Sequence, residues 1–294
     1  MHPNNMNPTS SIAPYIQVCP VGCSTPLQPT GALLPEGGLQ VCPSCGQWVS
    51  LCTEARYWQS MEEFNDPRGT LPDARSAARG LRRHTKFLAG FERLLQTKPQ
   101  AIRLLDVGCS SGAFLGSAVK LGFKAEGVEP APKACATAQA SGLKVFNGLL
   151  HEARFSSASF DAISLLEVIE HLKEPLQVLK ESARLLRPGG VMLVGTGNTD
   201  SWTAKAFGSH WDYLRIEKHG GHISFFNPTS LAKLAAQAGL EVALVKTRSL
   251  RFSDRENSHE PFYSLLKIAA ELLNPLAAWL NKGSDMAVYL RRPA

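Results

Sequence analysis

The stretch Ile102-Arg103-Leu104-Leu105-Asp106-Val107-Gly108-Cys109-Ser110-Ser111-Gly112 decides how the rest of this chain is read. A mostly apolar run leads into Asp106 and a turn from Gly108 to Gly112, after which Ala113 to Leu121 has the apolar spacing of a helix. The order is strand, tight loop, helix. A glycine loop in that setting lets backbone come close to a ligand, because no Cβ intervenes and a helix N-terminus favours polar or anionic groups.

Two ligand classes use such a loop. A dinucleotide fingerprint needs glycines where this chain has Ser110 and Ala113. A diphosphate would also be repelled by the carboxylate of Asp106, whereas a ligand carrying an ammonium and a sulfonium would be attracted. The stretch resembles the first motif, (D/E)-x-G-x-G-x-G, of the class I S-adenosylmethionine-dependent methyltransferases. Asp106, Gly108 and Gly112 match it, and Ser110 replaces the middle glycine.

Downstream residues extend the likeness. Phe123 to Val128 reads as the next strand and ends at Glu129, about twenty residues past the loop, where open α/β folds place an acid for the ribose hydroxyls. Phe160 to Leu166 is a near-continuous apolar run, as expected of a strand buried on both faces, and leads into Glu167-Val168-Ile169-Glu170-His171-Leu172. A helical stretch from Glu174 to Leu186, the breaker Arg187-Pro188-Gly189-Gly190 and a strand from Val191 to Gly195 follow. The family shows the same order, with FD at its fourth strand, EH-L-x-x-P after it and L-x-P-G-G before its fifth. The resemblance covers about 100 to 250. It implies an α/β fold with a seven-stranded, mostly parallel, doubly wound sheet, S-adenosylmethionine as cofactor, and Asp106, Gly108, Cys109, Ser110, Gly112, Glu129, Leu166 and Glu167 as its binding residues.

With 294 residues the chain can hold one large domain and a small appendage, and 44% hydrophobic against 19% charged residues excludes a disordered polyelectrolyte. Met1 to Thr30 is rich in Pro and Asn, without the basic start and apolar centre of a secretory signal, so a cytoplasmic protein is expected. The net charge of +6 is uneven. The first 70 residues are net acidic and most of the excess lies in 71–100, a modest asymmetry that suits an anionic small molecule or lipid headgroups as well as nucleic acid.

Cys19, Cys23, Cys42 and Cys45 form a C-x3-C…C-x2-C pattern whose pairs flank Pro or Gly turns. Four thiolates so arranged match tetrahedral zinc, and metal binding would fold a segment too short and polar to hold itself together. The expected organisation is a disordered leader over 1–18, a zinc-ribbon-like segment over 19–66, a turn-rich linker from Pro67 to Pro72 and a methyltransferase domain over 72–294. The ribbon is acidic, a poor phosphate binder, and reads as a substrate lid or structural cap. Cys52 lies slightly too far on to join it, and Cys109 and Cys135 read as small packing residues.

Within 72–98, Leu81, His84, Phe87, Leu88, Phe91, Leu94 and Leu95 recur at helical spacing, with the basic residues mainly off that stripe and His84 at the core edge. Glu167-x-x-Glu170-His171 admits three readings: Mg²⁺ ligands, as in some ubiquinone-pathway and small-RNA O-methyltransferases with the same ExxEH; His171 as base or acceptor-orienting group; or structure alone. The insertion 197–228 is long for a connection and rich in aromatics and imidazoles, which points to an acceptor pocket. Within it, His219-Gly-Gly-His222-Ile-Ser-Phe-Phe-Asn-Pro-Thr-Ser-Leu resembles H-x-x-F-F-x-P-x-S-L of this branch of the family, which selects His222 as second candidate base.

A helix over Pro228 to Ala238 and a strand over Leu240 to Lys246 come next. Then a helical insertion over 252–283 carries Phe262 to Leu280, apolar but interrupted by Lys267, Glu271, Asn274 and Pro275, hence no membrane span. It reads as a dimer contact or plain core, with interfacial membrane contact as the third choice. Asp285 to Arg292 is expected as an antiparallel edge strand. The leading function is S-adenosylmethionine-dependent methylation of a small-molecule acceptor, ubiquinone-type in the core and with a zinc-bearing N-terminus like those of sugar and polyketide-pathway enzymes. Against a zinc-bearing RNA methyltransferase stand the acidic ribbon and the absence of an (N/D)-P-P-(Y/F) motif. A non-catalytic cofactor-binding module is the third reading.

Overall fold

The computed structural model describes residues 13–65, 74–252 and 262–294. The N-terminal elements are β1 (Gln28–Leu34), β2 (Gly37–Val41), β3 (Trp48–Ser50), α1 (Glu54–Asn65) and α2 (Ala74–Leu95). The α/β core follows as β4 (Arg103–Val107), α3 (Ala113–Lys120), β5 (Lys124–Glu129), α4 (Pro132–Ala140), β6 (Val145–Asn147), β7 (Phe160–Leu166), α5 (Pro175–Leu185) and β8 (Leu186–Gly197). Next come α6 (Trp202–Phe207), α7 (Ile216–His219) and β9 (Ser224–Phe225), then α8 (Pro228–Gln237), β10 (Glu241–Arg248), α9 (Phe262–Trp279) and β11 (Asp285–Arg291).

Seven strands make the main sheet in the order β10-β11-β8-β7-β4-β5-β6, with β8, β7, β4, β5 and β6 parallel and β11 antiparallel to both its neighbours. The parallel strands β4 and β7 are buried along almost their whole length, as strands covered on both faces must be. Helices cover the two faces: Leu88 and Phe91 of α2 and Phe114 of α3 pack with Leu104 and Tyr289, while α5 and α8 pack with Leu105, Ile163 and Val288 opposite. The chain reverses direction in the sheet between β4 and β7, so the carboxyl ends of these strands open a crevice.

Three expectations are corrected. β11 is not the edge strand: it lies between β8 and β10, and its run Met286 to Leu290 is buried, whereas the largely exposed β10 takes the edge. The leader does not extend to residue 18, because Tyr15 donates its N–H to the Cys52 carbonyl and Ile16 is buried with Val49 and Tyr57. Residues 1–12 and the linker 67–72 lie outside the described residues. The helical insertion is not plain core, because the large apolar side chains of α9 face outward.

The cysteine-rich segment is built into the rest. Its antiparallel sheet runs β1-β2-β3-β9, so the last strand comes from the 197–228 insertion. Trp48 faces Phe225 and Val49 faces Ser224 in that register. Among the described residues no helix is long and apolar enough to cross a membrane.

Candidate active site

The crevice is lined first by the loop after β4. Gly108 and Gly112 have φ of +69° and +86°, and a Cβ on them would fall 2.5 Å from Val168 and 2.3 Å from Leu143, so both conformation and space require glycine. Ser110 takes φ 49° without glycine. The loop's N–H groups, expected to face a ligand, are spent internally. Gly108 and Cys109 donate to the Val128 carbonyl, Ser110 to Glu129 Oε2 and Gly112 to the Cys109 carbonyl. The chemistry offered to a ligand is therefore mainly that of two carboxylates.

Asp106 is buried at the end of β4 and accepts a hydrogen bond from Ser164 Oγ at 2.7 Å. Burial pushes its carboxyl up to about 7 against that bond, with Glu129 adding to the rise. Glu129, at the end of β5, is fixed by Ser110 N and Ala131 N, each at 2.8 Å, one on each carboxylate oxygen. Cys109 packs its sulfur against Gly127, where a Cβ would come within 2.7 Å, and its thiol is raised by burial and by Asp106, as befits a packing residue.

Leu166 ends β7 and Glu167 follows with φ 55°, its N–H on the Gly195 carbonyl. Beyond it, residues far apart in sequence converge. Glu170, 0% exposed, accepts hydrogen bonds from the hydroxyls of Tyr213 and, at 3.0 Å, Thr196. Tyr213 Oη also lies 3.3 Å from Glu167 Oε2, so the hydroxyl stands between the two acids. His222 Nδ1 is 2.8 Å from the Tyr213 carbonyl, which only an N–H can satisfy, leaving Nε2 with its lone pair 3.7 Å from Glu170 Oε1. His171 stands edge-on to His222 at 4.7 Å between ring centres, and its buried Nδ1 has no hydrogen-bond partner.

Burial lowers both imidazoles from their usual range, His222 well below it with His171 as second cause, so both are neutral near pH 7. Partial desolvation in the crevice and the neighbouring Glu170 raise the carboxyl of Glu167 above its usual range, although the residue as a whole is exposed. The expected Mg²⁺ set is rearranged. Donor atoms of Glu170, His171 and His222 lie within 4.8 Å of one another, with Glu167 outside that group. Tyr213 and Thr196 complete the cluster. The sequence places Tyr213 only among the aromatics lining the acceptor pocket, not as a partner of Glu170, and nothing in the local sequence marks Thr196. His84 is a core-edge residue as expected, its Nδ1 3.0 Å from Ser117 Oγ and its pKa lowered to about 4 by burial.

The sulfurs of Cys19, Cys23, Cys42 and Cys45 lie within 4.8 Å of one another, with Cys19 and Cys45 at 3.6 Å. Tetrahedral zinc with bonds of about 2.3 Å needs sulfurs about 3.8 Å apart, so the set fits the metal. Each knuckle is closed by an N–H to carbonyl bond, Gly22 to Cys19 and Gly46 to Cys42. Cys52 stays outside, its thiol directed to the Thr53 carbonyl. The segment then reaches the histidine cluster: Tyr57 Oη donates to the His171 carbonyl, Gln47 to Ser224 Oγ, and Asn227 Nδ2 to the carbonyls of Cys45 and Gly46.

A sheet of this order, a tight glycine loop after its first core strand and an acid at the end of the next define the class I S-adenosylmethionine-dependent methyltransferases. Residues 73–245 match the family model described as a methyltransferase domain, and the chain belongs to that family. It is 32% identical over 152 residues to a ubiquinone biosynthesis O-methyltransferase of Cereibacter sphaeroides and 34% identical over 152 residues to one of Dinoroseobacter shibae. In each case 48% of this chain and 61% of the relative are covered, so the match spans about three-fifths of those relatives. Two solved structures share the fold. One, from Galdieria sulphuraria and described as a sarcosine dimethylglycine methyltransferase, has a TM-score of 0.51 at 19% identity, over 74% of this chain and 87% of that one. A Haloferax volcanii methyltransferase complex with its activator has a TM-score of 0.50 at 18% identity, over 76% and 100%.

Proposed function

We propose that this chain transfers the methyl group of S-adenosylmethionine to a hydroxyl of a small-molecule acceptor, with the cluster around Glu170, His171 and His222 serving the acceptor. The observation that carries the reading is two neutral imidazoles, His222 buried and His171 half-buried, and the buried Glu170 beside a cofactor crevice. Asp106 and Glu129 attract the positively charged donor and grip its ribose, and Leu166 and Glu167 border it. The acceptor oxygen attacks the methyl carbon, the carbon–sulfur bond breaks and its electron pair returns to sulfur. The acceptor proton passes to His171 or His222, and Glu170 stabilises the imidazolium so formed. Alignment of donor and acceptor is worth on the order of 7 to 11 kcal/mol, and a general base adds about 10²- to 10⁴-fold.

One observation favours a second role for the same cluster. His222 Nε2 stands 3.7 Å from Glu170 Oε1, and one donor atom each of Glu170, His171 and His222 lie within 4.8 Å of one another, a spacing that a cation could bridge. A divalent ion held there would supply a Lewis acid for an acceptor hydroxyl. Four cysteines holding structural zinc complete the proposal, and sugar or secondary-metabolite acceptors stay within its scope.

The test uses purified protein, S-adenosylmethionine and an ortho-dihydroxyphenol acceptor. Methylated phenol and S-adenosylhomocysteine should form in equal amounts. Alanine at His171 or His222 should lower turnover by about 10²-fold or more with cofactor affinity retained. A requirement for added Mg²⁺ selects the metal role, and turnover unchanged in both variants rejects the cluster. RNA-dependent activity with a steep salt response would instead support the RNA reading.

A further inference from the structure

The helix α9 is inside out. Its buried residues are small, Ala270 and Ala277, while Leu265 (63% exposed), Ile268 (56%), Leu272 (75%), Leu276 (45%) and Trp279 (79%) face outward. The polar Lys267 and Glu271, both exposed, and the half-buried Asn274 line an open cavity with Ser249, Phe252 and Asp285, so polar residues share the solvent-facing side of the helix with the apolar row. Together the outward side chains expose roughly 600 to 750 Å², above the patch of roughly 300–600 Å² usual on a monomer and near the ~800 Å² per partner of a standard interface.

The arrangement of the stripe identifies what covers it. Taken from Leu272, these five residues fall seven before, four before, four after and seven after, with Leu273 and Leu280 exposed at the flank of the row. A two-fold axis through Leu272 that sets two α9 helices antiparallel brings Leu265 against the partner's Trp279, Ile268 against the partner's Leu276, and Leu272 against itself. The residues fall on one side of the helix at steps of three and four, so a second helix can lie along the row, with Pro275 inside that stretch. Charge speaks against an anionic lipid surface: among the described residues, Lys267 and Arg251, which line the cavity beside α9, are offset by Glu271 and Asp285 in the same cavity. We infer that α9 is the core of an isologous homodimer, with a second copy of this chain packed antiparallel on its outward face.

Sedimentation and light scattering of the zinc-loaded protein should give twice the monomer mass, and Leu272→Glu should give the monomer with its fold intact, since that side chain is mostly exposed. Cross-linking fixes the geometry. A mixture of Leu265→Cys and Trp279→Cys variants should form a disulfide between chains, while Leu265→Cys alone should not. Antiparallel pairing separates the two copies of position 265 by roughly 21 Å, beyond the ~7 Å limit between Cα atoms of a bridged pair. Six of the seven native cysteines are buried and do not compete. A wild-type monomer, efficient bridging by Leu265→Cys alone, or a monomer that sediments with anionic phospholipid vesicles through Leu272 would each overturn the inference.

Discussion

At the scale of single residues, Asp106 is the one whose titration reports the site. Its carboxyl is held up to about 7 by burial, and a cationic donor beside it favours the ionised form. The sign follows. Without ligand, the folded protein holds the Asp106 proton more tightly than the unfolded chain, so stability falls as pH rises from the ordinary carboxylate range of about 4 toward 7. Cofactor binding runs the other way. Affinity for S-adenosylmethionine should be flat above pH 7 and weaken by up to about tenfold per unit below it. Calorimetry across pH 5 to 8 checks this, and Asp106→Asn should bind more weakly with a flattened profile; an unchanged profile would mean that another group governs binding. The placement of Asp106, Glu129 and the two glycines around the crevice was legible because it is set by spacing within one strand-loop-strand unit. Tyr213 was not: it meets Glu170 from 43 positions away, a proximity created by the fold and written in no local pattern.

At the scale of elements, Asn227 joins two structures that the sequence presents separately. Its Oδ1 accepts from Ser230 N at 2.8 Å, and its own N–H donates to Ser230 Oγ at 3.0 Å, a capping box at the start of α8. Its Nδ2 holds the carbonyls of Cys45 and Gly46 in the second cysteine knuckle. Loss of the cap alone costs roughly 0.5–2 kcal/mol, and carbonyls left unpaired in a buried setting add about 1–3 kcal/mol. Asn227→Ala should therefore lower the unfolding free energy by about 2–4 kcal/mol and weaken zinc retention, whereas Asn227→Asp should keep the cap and lose only the knuckle contact. Denaturant titration and metal release by a chromophoric chelator separate the two. The start of α8 was readable from Asn-Pro-Thr-Ser, but β9 was not. Two residues of pairing carry no periodicity, and their burial comes from β3, which lies about 175 positions earlier.

At the scale of the whole molecule, the cysteine centre and the histidine cluster form one mechanical unit, and the cofactor crevice is less dependent on it. β9 carries Ser224 and Phe225 into the sheet of the cysteine-rich segment directly after His222, Ser50 N–H bonds the Ile223 carbonyl, and Gly221 N–H bonds Ser60 Oγ. Tyr57 anchors the other histidine through the His171 carbonyl. By contrast Asp106, Glu129 and the glycine loop are braced by β5 and β7 of the main sheet. Structural zinc in such a segment contributes folding free energy directly, so its removal should release β1 to β3 and with them the strand that holds His222. Chelation, or serine at Cys42 and Cys45 together, should lower the melting temperature and reduce methyl transfer by an order of magnitude or more through a raised acceptor KM. Affinity for S-adenosylhomocysteine should stay within about threefold, because Asp106 and Glu129, the carboxylates proposed to bind it, stand on the intact core. Equal loss of both would show that the segment supports the entire sheet, and loss of neither would show that the histidines hold their places without it.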